Sequence, residues 1–267
     1  MGKPQSRVIR VIQITDSHLY GEKEGKLLGM NTEDSFQAIF NLVKKEQLKP
    51  DLVLVTGDIS QDGSQASYDR MSQAMAYFEV PVFWLPGNHD HLSLMRHTFG
   101  AASVSPCLTD IGDWRIILLN SQIEQEVPGR LSESELDFLA CTLLASQHKR
   151  ILICLHHHPV LLSCHWLDTV ALLNPDPFFK IIDQYDNIHA IVWGHVHQAF
   201  ESARKNVLLF STPSTCVQFK PKSDDFALDK VAPGYRWFDL FNDGSLRSGV
   251  SRVKNFKLTV DHSAKGY

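Results

Sequence analysis

No apolar run in this chain approaches transmembrane length, and its N-terminus lacks the long apolar stretch of a secretory leader. Thiol pairing is scarce too. The five cysteines (Cys107, Cys141, Cys154, Cys164 and Cys216) are odd in number and form no C-x-x-C pair. Reduced thiols in a cytoplasmic protein are therefore expected, with Cys154, inside an apolar run, as plain core. Charge of one sign is missing: the net charge is −4, and Lys and Arg are scattered. That gives neither a nucleic acid nor a membrane surface anything to hold, although a small substrate with one negative charge remains compatible. There is no internal repeat, low-complexity tract or charged linker. Met1–Ser6 fits the myristoylation pattern, but it reads as a short disordered lead with a chance match.

What remains is ordinary globular material. The 267 residues are 43% hydrophobic and 21% charged, enough for one large domain or two small ones without staples. The spacing of β-branched and apolar residues predicts strands over 7–14, 51–56, 81–84, 114–119, 151–155 and 190–193. Helices are expected between them. One, capped by Asn31 or Thr32, carries Phe36, Ile39, Phe40 and Val43. A second spans about 64–78. A third starts at a capping box, Ser132-Glu133-Ser134-Glu135, with Leu136, Leu139, Leu143 and Leu144 on one face. This β-α-β-α-β order implies a parallel sheet covered by helices. Beyond Val207 the helical signals fade. Residues 207–210, 215–219 and 235–241 look like strands, and Asn242-Asp243-Gly244 looks like a hairpin turn into 246–253. We expect one domain over 1–267, built from two packed sheets with helices outside, and loosely held tails at about 1–6 and 255–267.

The strands share one peculiarity: each ends in polar residues. The first runs into Thr15-Asp16-Ser17-His18, the second into Gly57-Asp58, the third into Gly87-Asn88-His89-Asp90. Later strands end in His156-His157-His158-Pro159 and Gly194-His195-Val196-His197. One such ending would be a turn. The ordered set suggests a shared sheet edge, where open α/β sheets place their ligand sites. The donors are carboxylates, imidazoles and an amide, without a thiolate. That set suits Mn, Fe, Zn or Co rather than copper(I), and six or seven ligands are too many for one ion with an open position but suit two. Asp58 is the candidate bridge. Asp16 and His18 would share a face if the segment were extended, and His195 and His197 repeat that spacing. In the triplet, His156 is the first residue past the apolar run and is taken as the ligand; His157 is the alternative. His91, His97, His148, His189 and His262 fit surface or cap roles.

Asp16-x-His18, Gly57-Asp58, Gly87-Asn88-His89-Asp90, His156 and Gly194-His195-x-His197 resemble the signature of the calcineurin-like metallophosphoesterases, in that family's order. More narrowly, Leu28-Gly29-x-Asn31-Thr32, Trp166-Leu167-Asp168, residues 212–221, Ala232-Pro233-Gly234 and Gly266-Tyr267 resemble the bacterial class III cyclic-AMP phosphodiesterases. The resemblance implies a four-layer α/β/β/α sandwich, with two mixed β-sheets face to face and helices outside. It implies one divalent or mixed-valence metal ion on Asp16, His18, Asp58 and His197, and another on Asp58, Asn88, His156 and His195. It implies hydrolysis of 3′,5′-cyclic AMP to 5′-AMP by a hydroxide bridging the two ions. His18, Asn88, His89 and His197 would meet the phosphate, Asn88 steadying its charge and His89 giving the leaving oxygen its proton. The rival readings are a metallophosphoesterase for another diester, such as a glycerophosphodiester or a 2′,3′-cyclic nucleotide, and a non-catalytic scaffold of the same fold. Oligomeric state is left open.

Overall fold

The structure, a computed structural model, describes residues 8–46 and 49–266. In chain order the strands are β1 (Ile9–Ile14), β2 (Lys26–Leu27), β3 (Met30–Asn31), β4 (Leu52–Thr56), β5 (Val82–Leu85), β6 (Cys107–Ile111), β7 (Trp114–Leu118), β8 (Arg150–Cys154), β9 (Ile188–Trp193), β10 (Phe200–Arg204), β11 (Val207–Ser211), β12 (Gly234–Leu240) and β13 (Leu246–Arg252). The helices are α1 (Thr32–Lys45), α2 (Gln65–Ala76), α3 (Leu92–Phe99), α4 (Glu133–Leu144), α5 (His165–Asp168) and α6 (Pro175–Ile182). One sheet has the order β13-β12-β1-β4-β5 and the other β10-β11-β9-β8-β7-β6. In the first, β1, β4 and β5 run parallel and β12 pairs antiparallel with β1. In the second, β7, β8, β9 and β11 run parallel between antiparallel edges. Both sheets are therefore mixed.

Side-chain alternation builds the layers, because successive strand residues point to opposite faces. Val11, Leu52, Leu54, Leu152, Cys154, Ala190 and Val192 meet between the sheets. Their neighbours Ile12, Ile14, Val53 and Val55 face Phe36, Ile39, Met71 and Met95 of α1–α3. Ile151, Ile153, Ile191 and Trp193 face Leu139, Leu143 and Phe178 of α4 and α6 on the opposite side. The result is helix, sheet, sheet, helix. Buried on both faces, these strands read as nearly continuous apolar runs.

Several expectations are corrected. Residues 215–219 form no strand; they are a buried loop against the strand ends, so their apolar character reflects packing rather than pairing. Leu144 is exposed rather than on the buried face of α4. The capping box is half formed. Ser132 Oγ accepts the Glu135 backbone N–H, but the Glu135 carboxylate reaches past the helix to accept the Asn120 N–H at 3.0 Å. After Lys254 the chain packs Phe256, Leu258 and Val260 against the core of the second sheet, instead of hanging loose. The Met1–Ser6 lead and Tyr267 lie outside the described residues.

Candidate metal centre

Five parallel strands end at one edge of the sandwich. β1, β4 and β5 deliver Asp16, His18, Asp58, Asn88 and His89 from one sheet; β8 and β9 deliver His156, His195 and His197 from the other. Backbone hydrogen bonds lock the endings together. Asp16 N–H donates to Gly57 O and His18 N–H to Asp58 O, both at 2.9 Å, and Gly194 N–H donates to His156 O at 3.2 Å. Asp16, His18, Asp58, His156, His195 and His197 are buried, and Asn88 and His89 are half-buried.

The residues converge, but not by strand alternation. Asp16, His18, Asp58, His195 and His197 all have positive φ, between 47° and 66°. The segments are therefore kinked into the left-handed region rather than extended, a conformation that costs non-glycine residues about 1–3 kcal/mol each. His195 and His197 also part company. His197 joins Asp16 and His18, whereas His195 joins His156. Gly57, at φ 102°, is required by contact as well as by conformation: a Cβ there would lie 2.2 Å from His156 Nδ1.

The donor atoms form two adjoining groups. In one, His18 Nε2 lies 3.1 Å from His197 Nε2, and His197 Nε2 lies 3.5 Å from Asp16 Oδ1. Between the groups stands Asp58, whose Oδ2 is 3.8 Å from His18 Nε2 and 3.4 Å from His156 Nε2. The outer ring nitrogens are anchored. His18 Nδ1 meets Gln61 Oε1 at 2.6 Å, His156 Nδ1 meets Thr56 O at 2.7 Å, His197 Nδ1 meets Val217 O at 2.9 Å and His195 Nε2 meets Val170 O at 3.1 Å. An imidazole that donates outward to a carbonyl keeps its inner nitrogen unprotonated, the form that binds metal. Among the proposed donors, four buried atoms have no hydrogen-bond partner: Asp58 Oδ2, Asn88 Oδ1, His156 Nε2 and His195 Nδ1. Orphaned buried polar atoms are costly unless something completes them, and a divalent cation would. The triplet is also separated by geometry. His157 lies near His156 and His195, yet its two nitrogens are engaged by Ser121 Oγ at 2.8 Å and Val127 O at 3.0 Å. It supports the loop and has no lone pair left to offer. His158 lies behind, with Nε2 3.8 Å from Asp168.

Electrostatics follow from burial. It pushes the His18 imidazole down to about 3 against the pull of Asp58, and drives His195 well below its usual value, with His157 and His156 adding to the effect. At His156 burial is outweighed by Asp58, and without an ion the ring is raised to about 9, so a cation bound there would displace a proton from its inner nitrogen. Asp58 is held well below the carboxylate range because His156, His89 and His18 overcome its burial.

Further residues shape the site around the proposed donors. Gln61 orients His18 from three residues past Asp58. The Asp90 carboxylate accepts N–H groups of Gly87, Ser60 and Ile59 at 2.9, 3.0 and 3.2 Å, tying two strand-end loops together. Burial, with the nearby Asp58 charge, lifts it to about 6. Phe219 stacks on the His197 ring, 4.3 Å away and 8° from parallel.

Comparison with known proteins agrees with this geometry. The family model for calcineurin-like phosphoesterases matches residues 9–199. The chain belongs to the calcineurin-like phosphoesterase family. That match spans every strand end described above. Members of the family work with a binuclear divalent metal centre, and the clustered His and Asp donors fit one. Within the family, the chain is 40% identical over 259 residues to the 3′,5′-cyclic adenosine monophosphate phosphodiesterase CpdA of Pseudomonas aeruginosa, covering 97% of this chain and 95% of that protein. It is 42% identical to CpdA of Vibrio vulnificus and 38% to CpdA of Escherichia coli, each with the same coverage. Among solved structures, a dimetal phosphatase from Danio rerio superposes with a TM-score of 0.63 at 17% identity, over 92% of this chain and 99% of that one. A purple acid phosphatase from yellow lupin gives 0.63 at 15% identity, over 96% and 53%. Such distant likenesses carry the calcineurin-like fold alone.

Proposed function

We propose that this protein hydrolyses 3′,5′-cyclic AMP to 5′-AMP at a binuclear metal centre, lowering intracellular cyclic AMP. One observation carries the reading: six buried His and Asp donors from two sheets converge in a chain about 40% identical, over its length, to proteins named for that reaction. In this reading Asp16, His18, Asp58 and His197 hold one ion, and Asp58, Asn88, His156 and His195 hold the other. The support for the second set is that its four inner atoms are all buried without hydrogen-bond partners. The donor chemistry admits Fe, Mn, Zn or Co. Bound cations would lower the pKa of a water and offset charge on the phosphoryl oxygens.

The chain supplies the rest. His18, Asn88, His89 and His197 hold the phosphate, with the Asn88 amide steadying its charge. His89 stands half-buried, its ring 5.1 Å from that of His18 and its backbone N–H fixed 2.9 Å from Asp58 Oδ1. It is placed to give a proton to the departing ribose 3′-oxygen. We further read the chain as a cytoplasmic single domain acting on a small molecule rather than on nucleic acid. The net charge of −4 supports this, and among the described residues no helix is long and apolar enough to cross a membrane. The test is a panel of cyclic AMP, cyclic GMP, 2′,3′-cyclic AMP and a glycerophosphodiester, assayed with Fe, Mn, Zn and Co. Cyclic AMP should show the highest kcat/KM. A higher value for another diester would transfer the site to that substrate.

A further inference from the structure

A pocket of about 420 Å³ adjoins the metal centre on the side of His89 and His195. Four distant stretches wall it. Val127 comes from the loop after β7, Trp166 and Val170 from α5 and its C-terminal turn, Asp225 and Phe226 from the loop ahead of β12, and Lys265 from the last described residues. Trp166 meets Phe226 edge to face at 5.0 Å, and its indole N–H has no hydrogen-bond partner. The cleft on the other side of Asn88 and His89 is larger, about 930 Å³, but different in character. Asp62, Asp90, Gln122, Glu124 and Arg96 line it, and it has no Phe, Tyr or Trp. The two hollows share His89 and divide by chemistry.

We infer that the smaller, aromatic pocket receives the base of the cyclic nucleotide, and that the C-terminal segment is one of its walls. This rests on the cyclic-AMP reading above. In such a substrate one ribose ring separates base from phosphate, so a phosphate on the metal centre leaves the base in an adjoining hollow. Bases bind well to aromatic side chains and are poorly served by a wall of carboxylates. The segment bearing Lys265 is seated by contacts built into the fold. Phe256, Leu258 and Val260 pack on the core, and Asp261 N–H donates to Leu28 O at 2.8 Å. Gly29, at φ 88°, lies so close that a Cβ would sit 3.0 Å from Thr259 O. A loose tail would need none of this.

The experiment compares kcat/KM for cyclic AMP with kcat/KM for the 3′,5′-cyclic phosphate of 1-deoxyribose, which has the same ring and no base. The wild type, Trp166→Ala, Trp166→Phe and a chain ending at Asp261 are measured, with the baseless ester reporting that each variant is folded and metal-loaded. The ratio of the two constants should fall about tenfold in Trp166→Ala and in the shortened chain, and return to within about twofold of wild type in Trp166→Phe. A wild-type ratio in Trp166→Ala overturns the base pocket. A wild-type ratio in the shortened chain overturns the tail as a wall. A wild type that cleaves aryl phosphodiesters but not cyclic AMP overturns the substrate reading and the pocket with it.

Discussion

Asn88 and His89 are chain neighbours with different assignments, one to an ion and one to a proton. Asn88 Oδ1 is buried and unpartnered, while the half-buried His89 ring lines both hollows beside the centre. A proton donor matters most when the leaving oxygen is a poor leaving group. His89→Ala should therefore slow cyclic-AMP hydrolysis by about 10²–10⁴-fold and cleavage of a nitrophenyl diester far less. Equal losses on both substrates would show that His89 only holds charge. Asp58 lies between the two donor groups, 3.8 and 3.4 Å from a histidine of each. Its replacement by Ala should lower metal content, counted by mass spectrometry, from near two ions per chain to one or fewer, as well as the rate. Two retained ions would sink its bridging assignment. At this scale the sequence pointed to candidate donors, because five strand endings repeat the same unusual composition, and folding brings those endings to one edge. It left His156 and His157 unresolved, since adjacent identical residues differ only in what each ring meets. Gln61 was illegible, and Asp90 stood in a motif without its role being legible, because their partners are a ring and backbone groups brought close by folding alone.

Elements were legible where burial is symmetrical. The central strands β1, β4, β8 and β9 are covered on both faces, so continuous apolar runs marked them. The edge strand β6 alternates, exposing Leu108 and Asp110, β10 exposes Glu201 and Ser202, and both went unseen. The stretch 215–219 misled for the converse reason: it is apolar and buried, but its backbone serves the site. Val217 O holds His197, and Thr215 N–H donates to Thr15 O at 3.1 Å. Helix α4 offers a test of a charge the capping rule misplaced. Glu135 is 6% exposed, and burial lifts its carboxyl to about 7 against the Asn120 N–H. The carboxyl is protonated in both folded and unfolded chains below the ordinary value near 4.5. Its folded pKa is raised, so the stability present below about 4.5 is lost as pH climbs through about 7. The loss is about 3 kcal/mol at most, at 1.36 kcal/mol per pKa unit. Glu135→Gln keeps an acceptor for Asn120 without the charge. Urea titrations should therefore show it gaining on the wild type from pH 5 to pH 8. A difference independent of pH would mean the carboxylate stays solvated.

At the scale of the whole molecule the centre is a clasp between two sheets. Asp16, His18, Asp58 and Asn88 belong to endings of one sheet, and His156, His195 and His197 to endings of the other. The apolar layer between the sheets stops short of this edge, where Gln13 spans the gap, donating to Thr56 Oγ1 at 2.8 Å and to Trp193 O at 3.1 Å. Beyond it the contacts are donor atoms facing one another, on backbones held at positive φ. Strain and unpartnered atoms of this kind persist where a ligand completes them. Cations bound only by the folded chain add stability by mass action, about 2.7 kcal/mol for one site at a hundredfold excess over Kd. In a chain of this size that is about 5–10 °C in Tm. Removing metal with a chelator should thus lower Tm by that amount and abolish cyclic-AMP hydrolysis, with both restored together by added Mn or Fe. The core layers are apolar and owe nothing to the ions, so the metal-free chain should keep its far-UV circular dichroism at 25 °C. Activity lost with Tm unchanged would mean that the two sheets hold this edge unaided, and that the ions serve the chemistry alone.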